Sequence, residues 1–161
     1  MLFRPVFRGN MAGAQSVKLV ISDVDGVLTD GTVTYTQNGE QMMTFCVADG
    51  AGSAYLAAAG IPVVLISGRN CAPAIHRATE MGIREVHIAQ ESKKKTFEQI
   101  LQRHGLRPDE VCYIGDDFRD VPVMRMAGFA VAVADARAEV KRVAAWVTQC
   151  AGGRGALRHP C

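Results

Sequence analysis

The sequence predicts an α/β fold in three layers, with a doubly wound parallel sheet between two layers of helices. The first observation is that short apolar runs alternate along the 161-residue chain with segments of helical period, as in repeated strand–helix–strand units. The second is that most of the helical segments stop at a glycine, which commonly terminates a helix. The third is an Asn-Gly pair between two β-rich runs, which predicts one inserted hairpin.

Five apolar runs predict buried parallel strands, because continuous apolar character is typical of strands that are covered on both faces. In chain order they are Val17–Ser22, Ile61–Ser67, Glu85–Ala89, Val111–Gly115 and Phe129–Ala134. The helices predicted between and after them are Ala51–Ala59, Ala72–Met81, Lys93–His104, Asp120–Ala127 and Arg137–Ala145.

The predicted hairpin spans residues 32–47 and follows the first strand directly. Its strands are predicted at Thr32–Thr36 and Gln41–Val47, with the turn at Asn38-Gly39. This insertion interrupts the alternation of strands and helices at one point only. It places a hairpin beside the residues that end the first strand.

A single domain is predicted over residues 16–150, with a flexible leader at 1–15 and a C-terminal tail at 151–161. The stretch from Asp25 to Ser67 is filled by the hairpin, one helix and one strand. An inserted domain of roughly 50 residues or more does not fit there. The sequence therefore predicts a fold without a cap domain.

The composition excludes several functional classes. A net charge of +2 is too small for a nucleic-acid-binding surface. No apolar run reaches the roughly 18 residues that a membrane span needs, and the start of the chain lacks the apolar segment of a signal peptide. The five cysteines include no C-x-x-C pair, which argues against a disulfide framework or a zinc site. We therefore expect a cytoplasmic protein that binds neither nucleic acid nor membranes.

Chemically capable side chains stand where the predicted strands end. Asp23 and Asp25 follow the first strand and can share one side of it, because alternate strand residues point the same way. Ser67 ends the second strand, Lys93 begins the helix after the third, and Asp116 follows the fourth. Ligands of open α/β sheets bind beyond the carboxyl ends of the strands, so these groups are expected to form one site.

This set of residue types suits phosphoryl transfer. Clustered carboxylates repel one another unless a hard cation such as Mg²⁺ lies between them, and Mg²⁺ also neutralises a phosphoryl group. Asp23 could attack the phosphorus to give an aspartyl-phosphate, and Asp25 could protonate the leaving oxygen and later activate water. Ser67 and Lys93 could hold the phosphoryl oxygens.

Four segments resemble the motifs of the haloacid dehalogenase (HAD) phosphatases, in the same order. The segment Asp23–Thr29 is similar to the nucleophile motif D-x-D-G-x-L-T, and Ser67 matches the second motif. Lys93 matches the third motif and Gly115–Asp120 the acidic fourth. The resemblance implies a Rossmann-like HAD fold and a Mg²⁺-dependent phosphatase.

The resemblance also implies individual roles. Asp23 and Asp116 would bind Mg²⁺ through their carboxylates, and Asp25 through its backbone carbonyl. Lys94 and Lys95 remain alternatives to Lys93, whose spacing to the fourth motif matches the family.

Two acidic residues of the fourth motif have supporting roles in this interpretation. Asp120 would orient Lys93. Asp117 and Asp120 could also simply cap the helix that follows them.

A narrower resemblance is to the phosphatases of KDO 8-phosphate, where KDO is 3-deoxy-D-manno-octulosonate. It is carried by Leu28–Gly31, Gly39-Glu40, Phe45, Asp49–Gly52, Ile66–Arg69 and Ala151–Ala156. The resemblance implies a capless homotetramer that acts on a sugar acid phosphate in lipopolysaccharide biosynthesis, with packed hairpins and a tail that can close a neighbouring site. The substrate contacts it implies are Thr29, Asp49, Gly50, Gly68, Arg69 and Arg154. Asp49 and Gly50 could instead belong to a helix N-cap.

Other interpretations remain possible at this stage. A phosphatase of a nonulosonate 9-phosphate, such as that of KDN or N-acetylneuraminate, would have the same motifs. A receiver domain also has an acidic pair after its first strand, but its phospho-acceptor position is here Ser67. A non-catalytic tetramerisation module of the same fold would not be expected to keep Asp23, Asp25, Lys93 and Asp116.

Overall fold

A computed structural model describes residues 12–159 and shows the predicted α/β architecture. Its helices are α1 (Ala12–Gln15), α2 (Val47–Ala58), α3 (Ala72–Glu80), α4 (Lys93–His104), α5 (Val121–Met124) and α6 (Ala138–Val143). Its strands are β1 (Leu19–Asp23), β2 (Thr34–Tyr35), β3 (Gln41–Met42), β4 (Val63–Ile66), β5 (Glu85–His87), β6 (Val111–Gly115), β7 (Phe129–Ala132) and β8 (Trp146–Val147). Short 3₁₀ turns occupy Pro108–Glu110 and Phe118–Asp120.

A six-stranded parallel sheet in the order β5-β4-β1-β6-β7-β8 forms the centre of the molecule. Every residue of β1, β4, β6 and β7 is buried, as expected for strands covered on both faces. The chain order reverses between β1 and β6, so the carboxyl ends of these two strands flank the switch point of the sheet. Ligands bind at this position in open α/β folds.

The predicted bounds of β6 and α4 agree with the structure, and clear signals mark both ends of α4. Ser92 caps α4 by accepting a hydrogen bond from the backbone N–H of Lys95, and Gly105 ends the helix with a left-handed backbone (φ +64°). The other strands and helices of the sheet layers are present but differ by a few residues at their ends.

The hairpin is shorter than predicted, and its second predicted strand is wrong beyond Met42. Only two residues pair on each side, Thr34 with Met42 and Tyr35 with Gln41. Val47, the last residue of the predicted strand, is instead the first residue of α2. The apolar residues before α2 pack against the core as a loop, with Phe45 among them, so apolar content alone misled the strand prediction.

Both predicted flanking segments contact the domain in the described range. Residues 12–15 of the predicted leader form α1, whose Ala14 packs against the core, and residues 1–11 lie outside the described residues. In the tail, Ala156 and Leu157 are fully buried in the core. The tail therefore packs onto its own chain as far as His159, whose ring stacks on Trp146 at 5.1 Å.

Within residues 12–159, the connections between strands hold single helices, short turns and the small hairpin, and no cap domain. None of the helices in this range has the length and apolar character to span a membrane. The four cysteines in this range, Cys46, Cys71, Cys112 and Cys150, are free thiols. Because no cap domain is present in residues 12–159, the carboxyl edge of the sheet is left open to solvent.

Candidate active site

The loop after β1 folds tightly and positions the first carboxylates. The backbone N–H groups of residues 27–29 all donate to the carbonyl of Val24, at 2.9–3.3 Å. Gly26 has a φ of +83°, and a Cβ at this position would lie 2.0 Å from an oxygen of Asp116. Only glycine therefore allows the loop to approach Asp116 closely, and Asp23 is held at the base of this loop.

Lys93 joins two of these acidic segments. Its Nζ lies 2.6 Å from Asp23 Oδ2 and 2.7 Å from Asp120 Oδ1, and its side chain is buried. Lys94 and Lys95 are exposed, and Lys94 forms only a long ion pair with Glu98. The structure therefore places Lys93, and neither of its two neighbours, in the site.

Asp120 is fully buried, and its carboxylate accepts four hydrogen bonds. Besides Lys93, it accepts from the hydroxyl of Tyr113 at 2.7 Å and from the backbone N–H groups of Asp116 (3.1 Å) and Asp117 (3.2 Å). These four donors hold its carboxylate in one orientation. Tyr113 was not predicted as part of the site, because it lies inside the apolar run of β6 and has the pattern of a core residue.

Crowding of the carboxylates changes their proton affinity. Burial and the neighbouring charge of Asp120 raise the pKa of Asp116 to about 7. The same two causes raise the pKa of Asp23 well above its ordinary value, although Lys93 opposes them. Burial lowers the pKa of Lys93, but the charges of Asp23 and Asp120 outweigh it and leave that pKa raised. The site therefore holds an excess of carboxyl groups over lysine, and the ionised forms of Asp23 and Asp116 are disfavoured without a further positive charge.

A divalent cation fits this excess. Carboxylate oxygens of Asp23, Asp116 and Asp120 lie within 4.8 Å of one another. Asp116 Oδ1 is buried without a hydrogen-bond partner, whereas both oxygens of Asp120 are already occupied by donors. Asp116 thus offers an unpartnered oxygen to a hard cation, beside the carboxylate of Asp23, whose oxygens accept from the backbone N–H of Val24 and pair with Lys93.

Asp25 faces the second motif instead of this acidic cluster. Ser67 donates to Asp25 Oδ2 at 2.9 Å, and Arg69 Nη1 lies 2.8 Å from Asp25 Oδ1. Both oxygens of its carboxylate are therefore engaged by donors of the second motif. The second nitrogen of Arg69, Nη2, is buried without a partner.

A cavity of about 230 Å³ opens over these groups at the carboxyl edge of the sheet. Its lining residues are Asp23, Asp25, Gly31, Gly68, Arg69, Lys93, Asp116, Asp117 and Arg119. Asp117 also caps the turn that follows, by accepting a hydrogen bond from the backbone N–H of Phe118 at 2.7 Å. Gly31 and Arg119 were not predicted as site residues. Arg119 lies inside the fourth motif, of which only the acidic residues were predicted to belong to the site.

Two of the expected substrate contacts lie elsewhere. Thr29 is buried, and its hydroxyl accepts hydrogen bonds from the backbone N–H groups of Gly26 (3.3 Å) and Gly31 (3.2 Å). Thr29 thus holds the acidic loop together from within. Arg154 is exposed and does not line the cavity in the described part of the chain.

Asp49 and Gly50 also have structural partners. Asp49 is neither the N-cap of α2, which is Cys46, nor part of the cavity wall. It is buried within the first turn of the helix and accepts a hydrogen bond from the backbone N–H of Leu157 at 2.8 Å. Gly50 faces α3, where a Cβ would lie 3.3 Å from a nitrogen of Arg77.

Comparison with known proteins agrees with this geometry. Residues 78–156 match a family model described as haloacid dehalogenase-like hydrolase. The chain is 39% identical over 159 residues to the 3-deoxy-D-manno-octulosonate 8-phosphate phosphatase KdsC of Escherichia coli (strain K12), covering 99% of this chain and 85% of that protein.

Two solved structures show the same fold. The phosphatase of the same name from Yersinia pestis superimposes with a TM-score of 0.91 at 38% identity, covering 94% of this chain and 82% of that one. The Moraxella catarrhalis phosphatase, in complex with a magnesium ion, a phosphate ion and KDO, has a TM-score of 0.89 at 34% identity, covering 91% and 84%.

Proposed function

Because the chain belongs to the haloacid dehalogenase-like hydrolases, and among them to the KDO 8-phosphate phosphatase subfamily, we propose that it hydrolyses the phosphate ester of a 3-deoxy-2-keto sugar acid. KDO 8-phosphate is the first candidate substrate. The observation that carries this proposal is the buried cluster of Asp23, Lys93 and Asp120, next to an unpartnered oxygen of Asp116.

The acidic cluster is the proposed magnesium site. Asp23 and Asp116 would bind Mg²⁺ through side-chain oxygens and Asp25 through its backbone carbonyl. When bound, the ion neutralises charge on the phosphoryl group. The free oxygen of Asp116 supports this assignment.

The chain's own residues divide the chemistry into two steps. In the first, an Asp23 oxygen attacks the phosphorus, the ester P–O bond breaks, and Asp25 gives a proton to the leaving alkoxide. In the second, Asp25 takes a proton from water, which attacks the phosphorus and releases phosphate and Asp23. Lys93, which pairs with Asp23, and Ser67, which donates to Asp25, would contact the phosphoryl oxygens in both steps.

We also propose that the protein is a homotetramer whose hairpins pack together. Three large apolar side chains on and beside the hairpin are exposed, with 38% of Val33, 59% of Tyr35 and 55% of Met42 accessible. The register pairs Thr34 with Met42 and Tyr35 with Gln41, so Tyr35 and Met42 lie on opposite faces of the hairpin and both faces offer apolar surface to a neighbouring subunit. Light scattering at working concentration tests this proposal, and a monomer would contradict it.

The cellular context is part of the same proposal. The free thiols in the described chain support a reducing compartment such as the cytoplasm. Release of free KDO there would serve lipopolysaccharide biosynthesis.

The decisive experiment replaces the nucleophile. Asp23→Asn keeps the size of the side chain but removes its nucleophilic charge, so we expect kcat to fall by about 10⁴-fold. Circular dichroism should show an unchanged fold. Asp109→Asn, at an exposed carboxylate in the turn Pro108–Glu110, is the control and should keep full activity. Wild-type turnover by Asp23→Asn excludes the assigned mechanism.

A substrate panel tests the substrate class separately. Purified protein with Mg²⁺ is assayed for phosphate release from KDO 8-phosphate, KDN 9-phosphate and N-acetylneuraminate 9-phosphate. The proposal expects the highest kcat/KM for KDO 8-phosphate. A preference for a nonulosonate 9-phosphate would keep the reaction but change the substrate.

A further inference from the structure

Arg119 lies at the mouth of the catalytic cavity, on the rigid turn Phe118–Asp120. The turn is held on both sides, because Asp117 caps its start and buried Asp120 anchors its end. The guanidinium extends across to the second motif: a Cβ at Gly68 would lie 2.9 Å from Arg119 Nη1. The absence of a side chain at Gly68 therefore leaves the room that Arg119 occupies.

Arg119 also differs in charge pairing from the other cations that line the cavity. Lys93 is paired with two carboxylates and Arg69 with Asp25. Arg119 forms no ion pair with any carboxylate in residues 12–159. One long hydrogen bond from its Nη2 to the carbonyl of Glu91, at 3.5 Å, leaves most of its donors available.

The depth of the cavity separates the roles of these groups. Asp23 and Lys93 are buried at the base of the cavity, where the phosphoryl group must lie, whereas Arg119 is exposed at the rim. A group that reaches Arg119 therefore belongs to the part of the substrate away from the ester. A planar guanidinium with free donors binds a carboxylate in a bidentate manner.

We infer that Arg119 is a specificity-determining residue that binds the carboxylate of the sugar acid while its phosphate ester lies at Asp23. This inference rests on the proposed function. Arg119 contributes affinity and selectivity for acidic substrates and takes no part in the chemical steps.

The test compares two substrates that differ only in this charge: a 3-deoxy-2-keto sugar acid phosphate and its methyl ester. Arg119→Met keeps the length of the side chain but removes its charge and donors. We expect its KM for the acid to rise roughly tenfold or more, with kcat nearly unchanged. The KM for the methyl ester should change less than about twofold, because the ester offers no carboxylate to lose.

Two further variants complete the series. Arg119→Lys keeps the charge without the planar fork and should have an intermediate KM for the acid. Arg125→Met removes an exposed arginine directly after α5 that does not line the cavity, and both substrates should keep wild-type kinetics. Equal melting temperatures of all variants would show that the turn is intact.

Three results would overturn the inference. If Arg119→Met affects the acid and the ester equally, Arg119 serves the phosphoryl group or the local fold. If it affects neither, Arg119 makes no productive contact. If the wild-type protein hydrolyses p-nitrophenyl phosphate but no sugar acid phosphate, the proposed substrate class fails before any variant is compared.

Discussion

Asp120 at the catalytic edge and Asp49 in the first turn of α2 are both hidden from solvent, with 0% and 1% of each residue exposed, but they are held in different ways. Asp120 accepts four hydrogen bonds, one of them from the charged Lys93. Asp49 accepts a hydrogen bond from the backbone of Leu157 through Oδ1, and its Oδ2 is buried without a partner.

This difference in hydrogen-bond partners indicates different roles for the two buried carboxylates. Burial raises the pKa of Asp49, because the backbone N–H groups around it do not fully replace water. Asp120 instead forms part of a network with Lys93 and Tyr113, side chains from two different elements. In this protein Asp120 joins ionisable side chains at the catalytic edge, whereas Asp49 fastens the C-terminal tail to α2.

The largest expected effect comes from neutralising Asp120. Each oxygen of Asp120 accepts from two donors, so the amide nitrogen of Asp120→Asn must point its own N–H groups at two of them. Lys93 also loses one of its two counter-charges. We expect a loss of about 3–5 kcal/mol in the free energy of unfolding, measured in urea, together with a large fall in kcat.

Asp49→Asn is the matched control for that variant. Its amide oxygen can keep the hydrogen bond from Leu157, and its nitrogen replaces an oxygen that has no partner. Its stability at pH 7 should stay within about 1 kcal/mol of wild type. Equal losses in the two variants would contradict the distinction drawn between the two aspartates.

The second prediction concerns Asp49→Ala, which removes the fastening altogether. Leu157 then loses its acceptor in a buried position, at an expected loss of about 1–3 kcal/mol in unfolding free energy. The tail should also open locally, so trypsin should cleave after Arg154 and Arg158 faster than in wild type. Unchanged cleavage would show that the tail is held by its apolar contacts alone.

The pH dependence of Asp49 has a defined sign. Its folded-state pKa is raised above the ordinary value of 3.8, so its charged form is disfavoured in the folded protein. The stability that Asp49 contributes as a neutral acid is complete below 3.8 and is lost as the pH rises through the folded pKa. Relative to Asp49→Asn, wild type should therefore gain stability as the medium is acidified.

Most of the catalytic edge could be predicted because it depends on local signals and one topological rule. Polar side chains at the carboxyl ends of parallel strands and at the helix starts that follow them meet at one edge of the sheet. This rule places Asp23, Ser67, Lys93 and Asp116 near one another. Asp49 could not be placed in this way. Its partner lies 108 residues away in a tail without periodic pattern, and such a contact depends on the packing of the whole chain.

Tyr113 and β8 escaped prediction for other reasons. Tyr113 lies in an apolar strand, where a tyrosine is normally a core residue, and its hydroxyl gains a role only through the position of Asp120. The strand β8 has two residues, too few for any periodicity. The hairpin strands were predicted too long because apolar loop residues that pack on the core resemble strand residues in composition.

The third prediction, Tyr113→Phe, removes one of the four donors to Asp120. Three donors remain, including Lys93, so the expected loss in unfolding free energy is about 1 kcal/mol. We expect kcat to fall less than about tenfold, because Lys93 stays in place. A loss as large as that of Asp120→Asn would mean that Tyr113, rather than Lys93, is the main partner of Asp120.

The smallest expected effect belongs to Glu85. This residue is the first of the edge strand β5 and lies away from the catalytic edge of the sheet. It accepts hydrogen bonds from His87 and His104, both at 2.8 Å, and pairs with Arg103. Burial alone would raise the pKa of Glu85, but these hydrogen bonds and the charge of Arg103 lower it below its ordinary value of 4.5. Its partners are ionisable side chains, like those of Asp120, but the cluster is partly exposed, so its charges are screened by solvent.

Glu85 therefore shows how much ionisable partners contribute to the free energy of unfolding when the carboxylate is not fully buried. Glu85→Gln should reduce stability at pH 7 by less than about 1 kcal/mol. Because the folded pKa is lowered, the stabilising contribution is present above 4.5 and is lost as the pH falls through the folded pKa. Urea unfolding of both proteins between neutral and acidic pH should show the difference disappearing, opposite in sign to Asp49. A difference that does not change with pH would mean that the side chain stabilises the fold by packing and not by its charge.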